Sequence, residues 1–396
     1  MVCIKEVFGR EILDSRKEKT ILVSVKINTG KVFSASAPSG KSKGKFEKKP
    51  YKKTLKDDTK RLSEMSDYFK DEEFSSFDDL KKIEDICDGH IGANSMIAFE
   101  YAVLKAIAYE NKKQVWQIVN FNKELKKNKE LFFIGNIIGG GKHSKEIGER
   151  KKKPDFQEFL AIVKAKEHGK LKKAHEIAKE ELEKIDDSFE KSLNDENAWE
   201  TGLNEKLVLD ILYKIKKELN IDIGIDVAGS GFYGRKKYHY LNPRLDREEE
   251  EQLNYIENLI KNYGILYIED AFDEEDFKNF ALLRKKFPDK LIVGDDLTVT
   301  NVKRFKKAIK EKSISGIIIK PNQIGSLIEV KEVVELAKKN NIKVIFSHRS
   351  GETEEDILAD LALGFQADYL KCGIQGRERE VKIKRVLEIL RGILFN

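Results

Sequence analysis

Five stretches, GILYIED (264–270), KLIVGDD (290–296), GIIIK (316–320), KVIFSH (343–348) and DYLK (368–371), decide the fold. Each is a short apolar run, most of them rich in β-branched residues, and a polar or helical stretch follows it. Working outward, IDIGID (221–226), FLAIVKA (159–165) and LFFIGNII (131–138) extend the series toward the N-terminus. Eight buried strands alternating with helices read as parallel βαβ units, and their number predicts a closed (β/α)8 barrel. An open doubly wound sheet would want a phosphate loop after its first strand. GNIIGGGKH (135–143) is glycine-rich but lacks that spacing.

Ahead of the barrel the pattern is different. IKEVFGREILDSR (4–16) and TILVSVKINTGKVFSASAPSG (20–40) alternate like antiparallel strands, and NSMIAFEYAVLKAIAYE (94–110) carries a helical apolar face. Strands first and helices after make an α+β unit. The lysine-rich NFNKELKKNKE (120–130) is the natural linker, which gives a capping domain at 1–125 and a barrel at 126–396.

Composition narrows the function. The chain has 396 residues, 40% hydrophobic and 36% charged, with a net charge of only +6. Interspersed charges of both signs read as a solvated surface, not a nucleic-acid footprint. The run KSKGKFEKKPYKK (41–53) is read the same way, as a solvated flank. The three cysteines, Cys3, Cys87 and Cys372, are far apart and show no CxxC spacing, so neither a disulfide framework nor a structural zinc is expected. Cys372 is expected to be a packed thiol. No apolar run reaches membrane-spanning length and no signal segment opens the chain, so a cytoplasmic location is expected.

The strand ends carry the chemistry. Asp226, Glu269 and Asp295 close three successive runs, and Lys320, His348 and Lys371 close the next three. In a barrel these side chains project at the C-terminal mouth. Three converging carboxylates cannot all stay ionised unpaired, and hard oxygen ligands select Mg²⁺. A lysine beside a divalent cation has its pKa lowered and can serve as a base, while a second lysine and Arg349 can hold an anionic substrate. The combination points to proton abstraction next to a carboxylate.

Seven segments then make the set specific: REILDSR (10–16), PSGKSKG (38–44), GANS (92–95), QEF (157–159), GDDLTVTN (294–301), IKPNQIGS (319–326) and SHRSGETEEDILADL (347–361). In this order they resemble the signature segments of enolases, the phosphopyruvate hydratases. The resemblance implies an enolase-type barrel with an N-terminal cap, and Mg²⁺-dependent dehydration of 2-phosphoglycerate. It implies that Asp226, Glu269 and Asp295 hold Mg²⁺, and that Ser42 on a mobile lid reaches a second ion. Lys320 would be the base, Glu196 the acid that assists departure of the 3-hydroxyl, and Glu158 its partner. Lys371 would meet the substrate carboxylate, Arg349 and Ser350 its phosphate, and His143 and His348 would be the active-site histidines. A small anionic phosphorylated carboxylate is the implied substrate, and a homodimer or larger homo-oligomer the implied assembly.

The departures lie in loops. The glycines that flank the acid in the family are replaced in NDENA (194–198), Lys41 and Lys43 stand in the lid, and SKEIGERKKKPD (144–155) is long and charged. The family's Asp-Pro-Phe is Asp270-Ala271-Phe272, and GIQGRERE (373–380) follows the pattern only loosely. Three readings stay open on sequence alone: an enolase with relaxed loops, a paralogue acting on a different anionic carboxylate, and a non-catalytic binding protein. His90, His168, His175 and His239 fall outside the motifs and are read as surface or packing residues.

Overall fold

The structure is a computed structural model and describes residues 1–41, 44–120, 130–147 and 152–395. The boundary at 125/126 lies outside the described residues. The first unit is a four-stranded antiparallel sheet of β1 (Val2–Leu13), β2 (Lys19–Ile27), β3 (Val32–Ser36) and β4 (Glu73–Phe74), in the order β3-β2-β1-β4. Val2, Ile4 and Val7 face inward with Ile21, Val23, Val25 and Ile27. The helix Ala93–Glu110 packs on that face and is buried along nearly its whole length. Its N-terminus is closed by the buried carboxylate of Asp58, which accepts from the Gly92 amide (2.7 Å) and the Ser95 hydroxyl (2.6 Å). A negative charge there complements the helix dipole.

The second unit is a closed barrel. Its strands are β5 (Phe132–Gly139), β6 (Glu158–Lys164), β7 (Asp222–Asp226), β11 (Tyr267–Glu269), β12 (Leu291–Gly294), β13 (Gly316–Ile319), β14 (Lys343–Ser347) and β15 (Tyr369–Lys371). Between β7 and β11 a small sheet of β8 (Tyr233–Gly234), β9 (Lys237–Leu241) and β10 (Arg244–Glu248) stands outside the wall. Ile134, Leu160, Ile162, Tyr267, Val293, Ile318 and Ile345 fill the interior as one apolar plug. No helix of the described chain is long and apolar enough to cross a membrane.

One sequence expectation needs correction: the barrel strands are not all parallel. β6 runs antiparallel to both β5 and β7. The physical reason is the connection. Among the described residues, no crossover helix lies between Gly139 and Glu158, so the chain folds back as a hairpin. Two helices, Gly169–Ile185 and Glu205–Leu219, then follow before β7. Reversal puts the first residue of β6 at the mouth, where Glu158 pairs in register with Asp226, the last residue of β7.

The N-terminal unit reaches across that mouth. Ser39 and Gly351 exchange backbone hydrogen bonds (2.7 and 2.9 Å), and the Ser15 amide donates to the Glu352 carbonyl. Asp14 accepts from the Ser39 hydroxyl at 2.6 Å. The REILDSR segment therefore anchors the root of the lid on the barrel. A second seam joins Glu100 to the start of the helix Leu327–Lys339, whose first amide it accepts at 2.9 Å. Burial and the facing Glu84 carboxylate hold Glu100 well above the usual carboxylate range.

A group raised on folding stabilises the protein fully below its unfolded pKa, near 4.3, and loses that contribution as pH rises toward its folded value. Glu100→Gln keeps the acceptor and removes the ionisation. Thermal melts of the variant and the parent from pH 5 to pH 9 should therefore diverge, the variant gaining relative stability as pH rises. A pH-independent gap would contradict the assignment.

Candidate active site

The ladder fixes the geometry of the mouth. Glu269 ends β11 beside Asp226 at the end of β7, Asp295 follows β12, and Lys320 follows β13. His348 follows β14, and Lys371 ends β15. All of these except Lys320 are buried, as are Glu158, Glu196, His143, Arg349 and Ser350. One inner chamber is lined by Glu158, Glu196, His143, Asp226, Lys320, His348, Arg349, Ser350 and Lys371 together with Gly40 and Gln157. A larger cavity of about 380 Å³ adjoins it through Gln157, between residues 141–146 and 152–157 on one side and residues 228–242 on the other.

Two lysines pair with the carboxylates. Lys371 Nζ lies 2.8 Å from Glu269 Oε2, 3.0 Å from Glu158 Oε2 and 3.6 Å from Asp226 Oδ2. Lys320 is paired with Asp295. From below, the Tyr267 hydroxyl of the plug donates to Glu269 Oε2 at 2.5 Å. Burial and the Glu269 charge still push Asp226 up to about 8. Burial would raise Asp295 too, but Lys320 outweighs it and holds Asp295 below its ordinary value. The same contact raises Lys320 against the effect of its own burial.

Among the described residues, two groups bring ligand atoms within 4.8 Å of one another: His143 with Glu158 and Glu196, and Asp270 with Asp295 and Asp296. Asp226 and Glu269 fall in neither, and the Lys371 ammonium contacts both. Glu269 Oε1 is buried with no hydrogen-bond partner. A wall of carboxylates with an orphaned oxygen and strong mutual repulsion fits a hard divalent cation.

Across the chamber, His143 Nδ1 is 3.4 Å from Glu196 Oε1 and 3.8 Å from Glu158 Oε1. Burial lowers His143 to about 4, so it is neutral at pH 7. Burial, and then the Glu196 charge, hold Glu158 well above the carboxylate range. Glu196 is also desolvated, but the surrounding basic side chains hold it ionised. The two carboxylates are shifted in opposite directions, and Glu158 is the one that holds a proton more readily.

NDENA performs without glycines. Asn194 Oδ1 accepts from the amides of Glu196 (2.9 Å) and Ala198 (3.0 Å), and Asn197 takes the left-handed conformation at φ 61°. Asparagine tolerates that region better than most residues. His175, a packing residue as expected, stacks on Trp199 and contacts the Asn197 carbonyl at 3.1 Å. Cys372 is buried, and its thiol is pushed up to about 12 by burial.

The lid brings in residues that sequence reasoning passed over. Arg349 donates to both oxygens of Glu47 (3.2 and 3.0 Å) and to Asn322 (3.1 Å). Glu47 sits in the lysine-rich lid, where composition hid it. Asp270 accepts the amides of Asp295 (3.0 Å) and Asp296 (2.7 Å) and so aims the end of β12. Ser350 Oγ accepts from the Lys41 amide at 2.8 Å, while Lys41 Nζ pairs with Asp195 at 2.6 Å. Ser42, Lys43 and part of the charged loop, 148–151, lie outside the described residues.

Two family models match: "Enolase, N-terminal domain" over residues 4–68, and "Enolase, C-terminal TIM barrel domain" over residues 132–393. The chain is 35% identical to the enolase of Sulfurisphaera tokodaii, over 98% of this chain and 95% of that protein. It is 32% identical to the enolase of Natronomonas pharaonis, over 98% of this chain and 99% of that one. With the enolase of Pyrobaculum aerophilum it shares 41% identity over 65% of this chain and 62% of that protein. Because the match runs through cap and barrel alike, the chain belongs to the enolase family, carbon–oxygen lyases that work with a divalent metal.

Proposed function

We propose that this chain dehydrates 2-phosphoglycerate to phosphoenolpyruvate with Mg²⁺, and that Lys320 is the base. The observation that carries the reading is the shared chamber: Lys320 lines one part, and the Glu158–Glu196 pair, in which burial favours a proton on Glu158, lines another. A base and an acid on one substrate are what a β-elimination needs. Lys320 takes the proton from C2, and the hydroxyl leaves C3 as water with a proton from the Glu158–Glu196 pair. Lys371 meets the substrate carboxylate, and Arg349 and Ser350 meet the phosphate. His143, neutral, lies beside the acid pair, and His348 lines the chamber beside Arg349.

Asp226, Glu269 and Asp295 would hold the Mg²⁺, with Ser42 reaching a second ion from the lid. When bound, the metal supplies positive charge that stabilises the substrate carboxylate as the α-carbon loses its proton. Charge compensation at Asp295 would also remove the interaction that raises Lys320, which a base must lose to act near neutral pH. The residues 1–125 act as the cap in this reading, and a cytoplasmic homo-oligomer is the proposed assembly. Phe8 and Leu13, exposed on β1, offer apolar surface for it.

The lid favours an ordinary enolase over a paralogue. Gly40, not Lys41, lines the chamber, and the Lys41 side chain is 45% exposed against Asp195.

Lys320→Ala should abolish exchange of the C2 proton with solvent and leave substrate binding within a few-fold, because the base acts only in the transition state. Glu196→Gln should keep exchange and lose dehydration by about 10²–10⁴-fold, the usual worth of a general acid. Proton exchange by NMR in deuterated buffer, run beside the turnover assay, separates the two. Equal loss of exchange in both variants would refute this division of labour. Lys41→Ala removes only an exposed ion pair worth about 0–1 kcal/mol. Its kcat/KM on 2-phosphoglycerate should stay within about fivefold, and a rise in KM beyond tenfold would instead place Lys41 on the substrate.

A further inference from the structure

Arg379 is fully buried in the first turn of the helix Arg377–Phe395. Ordinary stability arguments disfavour it there. A cation at a helix N-terminus opposes the dipole, and a buried guanidinium normally takes a carboxylate in a bidentate pair. Arg379 has no such partner among the described residues. Its nearest carboxylate oxygen, on Glu378, is 3.7 Å from Nε, and Nε itself has no hydrogen-bond partner.

What the guanidinium touches is the active site. Nη1 donates to Nδ1 of His348 and to the Arg349 carbonyl (3.4 Å). Nη2 donates to the carbonyls of Asp195 (3.1 Å) and Ser350 (3.1 Å). One side chain thus ties the loop that carries Glu196 to the loop that carries His348, Arg349 and Ser350. Room for it is made at Gly373, at φ 76°, where a Cβ would come within 2.5 Å of Arg379 Cδ.

Arginine has no acceptor and does not lose its proton in proteins. An imidazole nitrogen that faces it can only accept. We propose that Arg379 is a positioning residue: by donating to Nδ1 it fixes His348 as the neutral Nε2–H tautomer, and through the Asp195 carbonyl it holds that ring in register with Glu196. His348 lines the chamber, so its remaining N–H is a fixed donor beside the anion-binding Arg349. The surrounding charges agree with the geometry. Burial and then Arg379 hold His348 well below the usual imidazole range. Arg379 is also among the cations that keep Glu196 ionised against its burial.

The inference rests on the enolase reading for the importance of His348, but its first test does not need activity. Nitrogen NMR of the ¹⁵N-histidine-labelled protein, with His348 assigned by its absence in His348→Asn, reads the tautomer directly. Nδ1 should carry no proton and Nε2 should carry one, unchanged from pH 6 to pH 8. A protonated Nδ1 in the parent protein overturns the proposal whether or not any variant folds. In Arg379→Met the fixed tautomer should give way to a mixture. The kcat on 2-phosphoglycerate should drop at least tenfold, with KM changed less. Arg379→Lys keeps one charged donor and should restore the tautomer and part of kcat. If Arg379→Met folds and keeps both the His348 signature and a kcat within twofold, the proposal fails. If Met and Lys variants lose kcat alike with the signature intact, Arg379 is merely structural and the proposal fails equally.

Discussion

The mouth of the barrel is organised around one ammonium group. Lys371 Nζ lies within 3.6 Å of carboxylates from three different strands, and among the described residues no other lysine or arginine pairs with Asp226, Glu158 or Glu269. Gathering three buried carboxylates costs heavily unless each finds a positive partner. One lysine cannot supply three charges. The remainder shows as the raised Asp226 and Glu158 and as the orphaned Glu269 Oε1. The site therefore stores a deficit of positive charge, and a divalent cation is the species that removes it. The apolar plug beneath, with Tyr267 as its polar tip, keeps water from doing so from below.

That ring exists because one strand runs backwards. In a fully parallel barrel the start of β6 would lie at the far end, and Glu158 would be remote from Asp226. The hairpin connection from β5 reverses the strand, so a residue that begins an element joins residues that end theirs. The acid pair is then completed by Glu196 from a loop between the two helices that follow. Two asparagines hold that loop, and Arg379 ties it to the opposite rim.

The strand-end residues and the barrel were legible in the sequence because strand period and buried apolar runs are local signals. The direction of β6 was not, since a short apolar run looks alike in either direction and only the lack of a crossover helix among the described residues between Gly139 and Glu158 marks the reversal. NDENA seemed to have lost its loop-forming glycines, but Asn197 reaches the same left-handed conformation and Asn194 closes the turn. The pairing of Lys320 with Asp295 was not legible either, because no single stretch of sequence records a contact between two strand ends. Glu47 and Arg379 were missed for a shared reason: each acts through a contact outside its own segment, Glu47 on Arg349, 302 residues away, and Arg379 on His348, 31 residues away, and each is embedded in a run of opposite or mixed charge.

Glu47 adds a constraint on how the site receives an anion. Arg349 is buried, and both oxygens of Glu47 occupy its guanidinium edge, while Gly40 lies so close that a Cβ there would collide with Nη2. A phosphate that engages Arg349 exchanges with an internal carboxylate instead of meeting a solvated cation. Its net affinity is then the difference between two charge-assisted pairs, each stronger than a neutral hydrogen bond. The lid root is held on the barrel through Asp14, Ser39 and Gly351. On the proposed reading, an anion that reaches Arg349 must therefore displace the Glu47 carboxylate or share the guanidinium with it, so the affinity of the site for a phosphate is set as much by Glu47 as by Arg349.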